Sequence, residues 1–232
     1  MNGFYKHYSF DLWLTLIKSN PAFKIERTHY FHQNLNSKNK SIDEVGVIFR
    51  QVDLMVNAIN EKTGKNVDAD EMYLMVISII NDYDFNFGDL DLEDLYQKME
   101  VLLLNHMPLI YCENCLNVLS EIKRSGLSTT NILSNTGFIK GKTLRKVINH
   151  LGIDTFIDFQ LYSDEVRMSK PNAGFFQLMI DGIDREKHQD LALQEIIHVG
   201  DNPLADIRGA QMMGINSMLI HSNNLSISNL LS

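Results

Sequence analysis

Four short stretches of this sequence carry residues able to do chemistry together. They are Asp11 and Thr15 in FDLWLTL, Ser134 and Asn135 in ILSNTG, Lys170 before Pro171 in MSKPNAG, and Asp201 with Asp206 in HVGDNPLADIRGA. A carboxylate such as Asp11 cannot attack a phosphate dianion unaided, because both are negative. A magnesium ion held between Asp11, Asp201 and a phosphate oxygen would remove that repulsion and align the phosphorus for in-line attack. Lys170 would neutralise further charge, while the Thr15 and Ser134 hydroxyls and nearby backbone N–H groups would bind the phosphoryl oxygens. A lone loop carboxylate or lysine is usually just solvated. As a set, these residues make a consistent phosphoryl-transfer site with Asp11 as the nucleophile.

Such residues meet only if the fold brings four distant segments to one place. His7 to Leu16 is a β-favouring run that would deliver Asp11 to the end of a strand, with turn-forming residues following through Pro21. After Pro108, helices alternate with short β-rich runs. The pattern predicts helices over 115–125, 140–151, 173–181 and 206–213, and strands over 128–134, 156–162, 196–200 and 217–220. That alternation predicts an α/β fold, a Rossmann-like parallel sheet with helices on both faces. In such sheets ligands sit at the carboxyl ends of strands, where the polar residues of these segments fall.

Between the two parts, from Ile25 to about His106, helical periodicity replaces alternation. Val45, Ile48, Phe49, Val52, Met55, Val56 and Ile59 follow the three-and-four spacing of one buried helix face. Ser41 with Glu44, Asp68 with Glu71 and, as a weaker acidic version, Asp91 with Asp94 read as capping boxes. With a helix over 25–36 in front, this predicts a small four-helix bundle. The chain then divides into an α/β core, residues 1–18 and 108–232, and an inserted helical domain, residues 19–107.

At 232 residues and 44% hydrophobic, the chain can bury at least one full core, and it shows no linker-like tract or internal repeat. A formal net charge of -8 argues against nucleic-acid or anionic-membrane partners, which are held by clustered Lys and Arg. Met1–Phe10 lacks a basic segment followed by an apolar run, and the longest apolar run, Tyr73–Ile80, is too short to span a bilayer. The expectation is a cytoplasmic protein with its two cysteines, Cys112 and Cys115, reduced and partly buried at a helix start.

In this order and spacing, the four segments resemble the four motifs of the haloacid dehalogenase-like (HAD) superfamily, over roughly residues 6–16 and 108–221. The resemblance implies that the helical insert is a cap closing over the site. It implies Mg²⁺ held by Asp11, Asp201, Asp206 and the backbone carbonyl of Trp13. It further implies a small phosphorylated substrate bound by Thr15, Ser134, Asn135, Lys170 and Trp13, and an aspartyl-phosphate on Asp11. Superfamily phosphatases usually carry a second Asp two residues after the nucleophile, as general acid and base; here that position is Trp13. Its loss removes help typically worth about 10²–10⁴ in rate.

Three functions therefore stand open. The first is phosphate-ester hydrolysis of a small metabolite. The second is a weakly catalytic module binding a phosphorylated ligand or protein. The third is dehalogenation, since 2-haloacid dehalogenases have an aromatic residue at the Trp13 position, although they carry Ser and Asn where Asp201 and Asp206 stand. His29 and His32, three apart on a helix, read first as an exposed polar face. Met55, Met72, Met75, Met99 and Met107 read as adaptable core. Asp89–Asp94 reads as a solvated helix start.

Overall fold

The computed structural model describes residues 5–124, 126–183 and 187–231. In chain order the regular elements are β1 (His7–Phe10), β2 (Ile17–Lys18), α1 (Pro21–Asn34), α2 (Ile42–Thr63), α3 (Ala69–Ile80), α4 (Leu92–Asn105), β3 (Leu109–Ile110) and α5 (Cys115–Arg124). They continue with β4 (Thr129–Ser134), α6 (Gly141–His150), β5 (Phe159–Tyr162), α7 (Ser163–Val166), α8 (Ala173–Asp181), β6 (Ile196–Gly200), α9 (Gly209–Met212) and β7 (Asn216–Leu219). Five strands form one parallel sheet in the order β5-β4-β1-β6-β7, with His7 opposite both Thr129 and Ile196. The predicted α/β fold is therefore the observed one.

Strand alternation divides the side chains between two faces. Tyr8, Phe10, Ile132, Ile197 and Val199 point to a cluster closed by Val118, Leu119 and Ile122 of α5 and Leu144 and Ile148 of α6. Leu133 and Ile196 point the other way, onto Phe175, Phe176 and Met179 of α8 and Ala210 of α9. Both faces of β1, β4 and β6 are thus covered, and the polar residues of these buried strands pair with one another, His7 with Thr129 and Asn131 and Ser9 with His198. At about 25 cal/mol per Å² of apolar surface, such double burial is the main force holding the sheet together.

The four helices of the insert bury a core of their own, including Phe31, Val45, Phe49, Val52, Val56, Met72, Tyr73, Val76, Leu95, Tyr96 and Met99. Phe138, which follows β4, also packs in that cluster, and the Tyr96 hydroxyl lies 3.0 Å from Thr143 Oγ1 of α6. Hydrophobic and polar contacts therefore cross between the helical and α/β parts of the chain. Where the chain leaves the sheet and returns, β2 and β3 pair antiparallel, Ile17 opposite Ile110.

Several expected boundaries move, each for a local reason. α1 starts at Pro21, earlier than expected, because Asn20 caps it by accepting from the Ala22 N–H at 3.0 Å and Pro21 occupies a first-turn position that needs no N–H donor. β5 begins at Phe159 because Asp154–Phe156 form a 3₁₀ turn closed by the Ile157 N–H on the Asp154 carbonyl. The helix expected from Asp206 begins as a π-helical segment, Pro203–Arg208, with Asn202 accepting from Leu204 and Ala205. β7 sits one residue early. Ser125, expected to end α5, lies outside the described residues, as do residues 1–4, 184–186 and 232.

The Ser41 cap is complete, Ser41 N–H donating to Glu44 and Glu44 N–H to Ser41 Oγ. Asp68 N–H donates to Glu71 Oε2, and Asp94 N–H donates to Asp91 Oδ1. On α2, Met55 and Ile59 are exposed rather than buried, and Asn60 takes the buried position instead, its carboxamide oxygen accepting from the Val67 N–H at 3.1 Å. Among the described residues no helix is long and apolar enough to cross a membrane.

Candidate active site

The carboxyl end of β1 carries Asp11, its N–H donating to the Val199 carbonyl of β6 at 2.9 Å. A tight turn follows, in which the Leu16 and Ile17 N–H groups both reach the Leu12 carbonyl. Leu14 holds that turn at φ 58, a left-handed conformation costing a non-glycine residue roughly 1–2 kcal/mol. The turn places Thr15 Oγ1 3.1 Å from Asp11 Oδ2, so that the hydroxyl orients the carboxylate. Trp13, half-buried, stands on the cavity side of the same turn.

Lys170 enters from the loop after α7, fully buried, and its ammonium donates to Asp11 Oδ1 at 2.7 Å and to Asp206 Oδ1 at 2.6 Å. Asn135, just after β4, fixes the Lys170 backbone with two reciprocal bonds. Its amide donates to the Lys170 carbonyl at 3.0 Å and its oxygen accepts the Lys170 N–H at 2.7 Å. Asp206 also accepts the Asn202 N–H at 2.9 Å and lies 3.1 Å from His198 Nε2. It approaches the chain so closely that a Cβ on Gly200 would sit 2.2 Å from Asp206 Oδ2, so HVGD needs its glycine.

Oxygens of Asp11, Asp201 and Asp206 lie within 4.8 Å of one another. Burial pushes the Asp11 carboxyl up to about 7, with Lys170 opposing and Asp206 and Asp201 adding repulsion. Burial and the Asp206 charge push Asp201 up to about 6. Burial also acts on Asp206, but Lys170 and His198 overcome it and hold that carboxyl well below the usual range. Burial alone would lower the Lys170 pKa; Asp11 and Asp206 reverse that and raise it. One ammonium among three carboxylates leaves the cluster short of positive charge, and the hard oxygen donors fit a divalent cation such as Mg²⁺.

A cavity of about 1020 Å³ opens over this cluster, lined by Asp11, Trp13, Asn135, Lys170, Asp201 and Asp206 below. Its other walls come from α1, α2 and the segment after β4. The exposed side chains Leu14, Ile25, Val47 and Leu54 all face it, giving the walls an apolar part. Ser134 is fully buried, its hydroxyl donating to the Asn135 carbonyl at 3.1 Å, and it is not on the cavity surface; nor is Thr15. His29 lines the cavity although it read as part of an exposed face, while His32 does not line it.

Sequence reasoning missed His198, Asn202, Glu61 and Arg27. His198 interrupts the apolar run IIHVG, and its ring bridges Asp206 to Ser9, whose hydroxyl is 2.9 Å from Nδ1. Burial, opposed by the hydrogen bond to Asp206, lowers its pKa, so the neutral ring presents its Nε2 proton to that carboxylate. Glu61 accepts from the Asn202 side chain at 2.7 Å, linking α2 to the loop after Asp201. Arg27 lies on the buried stripe Phe23, Arg27, Phe31 of α1, a cation at apolar spacing, which was the signal available.

A sheet carrying a buried Asp-Lys-Asp cluster at its carboxyl edge, under a helical insert, defines a hydrolase class that comparison with known proteins identifies. The haloacid dehalogenase-like hydrolase family model matches residues 9–220, and the chain belongs to that family. It is 28% identical over 171 residues to glyceraldehyde 3-phosphate phosphatase of Methanocaldococcus jannaschii, covering 66% of this chain and 68% of that protein. It is also 28% identical over 81 residues to the rhythmically expressed gene 2 protein of Drosophila melanogaster, covering 35% of this chain and 30% of the fly protein. Its fold is similar to that of the HAD-hydrolase YfnB from Bacillus subtilis, solved bound to magnesium, with TM-score 0.71 at 16% identity over 96% and 91% of the two chains. A HAD phosphatase from Thermococcus onnurineus matches with TM-score 0.63 at 20% identity over 97% and 90%.

Proposed function

We propose that this chain is a magnesium-dependent phosphohydrolase for a small phosphorylated metabolite, with Asp11 as nucleophile and residues 19–107 as a cap that covers the site. The observation carrying this reading is the trio Asp11, Asp201 and Asp206, the first and last buried and both bonded to a single Lys170. The phosphatase activity named for the archaeal relative supports the same chemistry. Mg²⁺ bound by Asp11, Asp201 and the Trp13 carbonyl, with Asp206 behind them, would screen the charge of the phosphoryl group.

In this reading Asp11 Oδ attacks phosphorus, the P–O bond to the leaving group breaks with its electron pair, and an aspartyl-phosphate remains. Water then attacks that phosphorus, releasing phosphate and the free Asp11 carboxylate. Thr15 holds Asp11 in line, and Lys170 balances the charge that grows on the phosphoryl oxygens. Asp206 and Asn135 keep Lys170 in place from its two ends. Ser134 acts through the backbone turn it closes with Asn135. Trp13 takes the place of the usual acid, so the leaving oxygen departs with nearly full negative charge.

The Trp13 substitution also favours a second reading, a slow enzyme whose main role is ligand binding. A panel of phosphorylated metabolites, one aryl phosphate and one 2-haloacid, assayed with magnesium and with chelator, separates these. Turnover of phosphate esters that chelator abolishes is the expected result. A blank panel favours the binding role, and haloacid turnover in chelator overturns the phosphoryl chemistry.

A further inference from the structure

We propose that Arg27 selects the substrate, its guanidinium, which has no carboxylate counter-ion, binding from the cavity wall a second anionic group carried by the phosphorylated molecule. This deepens the phosphohydrolase reading and rests on it. Arg27 is buried on α1 and lines the same cavity as Asp11, Lys170 and Asp201. Three rings surround it, with the guanidinium carbon 4.0 Å from the centre of Phe49, 4.6 Å from Phe138 and 5.3 Å from Phe23. Its Nε is buried with no hydrogen-bond partner. Among the described residues no carboxylate forms an ion pair with it. Asp53, whose charge it feels, is engaged by Arg50 at 3.0 Å, and the hydrogen-bond partner of Arg27, Tyr73, is a neutral hydroxyl that itself donates to the Phe138 carbonyl.

A buried charge without a counter-ion is a large expense for a fold, and aromatic faces return only part of it. Guanidinium does not shed its proton to escape that position. Its donors fork in one plane, matching the paired oxygens of a carboxylate or phosphoryl group. The rings around Arg27 hold it rigidly and keep water from its faces, conditions under which an arriving anion is bound strongly. The remaining charged groups on the cavity walls do not substitute for it. Arg50 is already paired, Lys24 is exposed, and Asp43, Asp53 and Glu61 are acidic. The substrate class is therefore a phosphomonoester with a carboxylate or second phosphoryl group at its far end, unlike the neutral aldehyde end of glyceraldehyde 3-phosphate.

The test measures binding, not turnover. Calorimetry with the magnesium-loaded protein compares three sets of non-hydrolysable ligands matched in length: alkylphosphonates, carboxyalkylphosphonates and alkylene diphosphonates. In the wild type one anionic set should bind about tenfold or more tightly than the neutral set, and which set it is names the second group. Arg27→Met should bring that ratio near one, and Arg27→Lys, which keeps the charge but not the fork, should retain part of it. Equal binding of all three sets by the wild type, or a preference that survives Arg27→Met, overturns the role of Arg27 and leaves the phosphoryl site standing. No binding by any phosphonate overturns the phosphoryl site itself, and this inference with it. If guanidinium served packing alone, Arg27→Met would lower the melting temperature with no wild-type preference to lose.

Discussion

On the cavity floor the buried charges stand in ion pairs, whereas on the wall one buried charge has no counter-ion. Lys170 touches Asp11 and Asp206, Asp206 also touches His198 and Asn202, and Asn135 pins the lysine backbone. Arg27 meets three rings and the neutral Tyr73 hydroxyl. The floor does the same chemistry on every substrate and gains from being fixed before one arrives. The wall has to tell molecules apart, and a group left incomplete there is completed only by the right ligand.

Lys170→Ala should break the comparison hardest. Turnover should fall on the order of 10³-fold, since the lysine balances charge in a site shielded from water. Asp11 and Asp206 would also be left without their cation, at a stability cost of about 3–5 kcal/mol by urea unfolding. Full stability in Lys170→Ala would mean the floor is not held by its ion pairs.

Trp13→Asp sharpens the chemical side of the contrast. Restoring a proton donor should raise turnover of alkyl phosphates by on the order of 10², and that of aryl phosphates, whose phenolate leaves unaided, by much less. A rate ratio that stays flat in both proteins would show that another cavity residue, such as His29 or Glu61, already serves as the acid.

His7 tests a different buried charge site, one kept neutral. It lies in β1 with Nδ1 2.8 Å from Thr129 Oγ1 and Nε2 2.9 Å from Asn131 Oδ1, near His188, Asp158 and Lys123. Burial lowers its pKa to about 4, while the unfolded chain titrates near 6.5. The unfolded state therefore binds the extra proton first, and stability should drop as pH falls from 6.5 toward 4, by about 3 kcal/mol from this residue alone. In His7→Gln that part of the slope should vanish. An unchanged slope would assign the acid sensitivity to another buried histidine such as His198, because Asp11 and Asp201, held above the usual carboxylate range, gain stability as pH falls through this window.

The smallest effect is expected at Gly64, which ends α2 at φ 65 and whose carbonyl accepts from Ser169 N–H and the Asn172 side chain, beside Lys170. Gly64→Ala should cost about 1–2 kcal/mol from the backbone alone. Its added Cβ would also lie 2.9 Å from Asn172 Nδ2. If activity falls with stability unchanged, the contact between the helical insert and the Lys170 loop matters to the floor's alignment.

Much of this was legible in the sequence because it is periodic or local. The α/β alternation, the Ser41 cap and α8 followed from spacing and cap chemistry, and the site segments followed from polar residues at strand ends. What escaped depends on distant partners. Nothing near Asp206 in the chain shows that Lys170 will claim one of its oxygens. The burial of Ser134 depends on the turn it closes. Met55 and Ile59 matched the helical spacing of α2, but a buried stripe is only as wide as what packs on it, and Asn60 was held instead by the Val67 N–H. Arg27 was readable as a cation on an apolar face, yet only the packing of rings and a neutral hydroxyl around it shows that no carboxylate reaches it.

The sheet order has a consequence in time. β1 is the middle strand, yet the chain must extend through the whole helical insert before β4 can join it, and further still before β6 supplies the other edge. At about 5–20 residues per second, the roughly 120 residues separating β1 from β4 take on the order of ten seconds to synthesise. Throughout that interval a short segment destined for complete burial has neither neighbour. The insert, whose helices contact one another locally, is free to fold while the strand waits. A nascent chain of this protein thus exposes its central strand for longest, and that interval is where misassembly or capture by a chaperone would act.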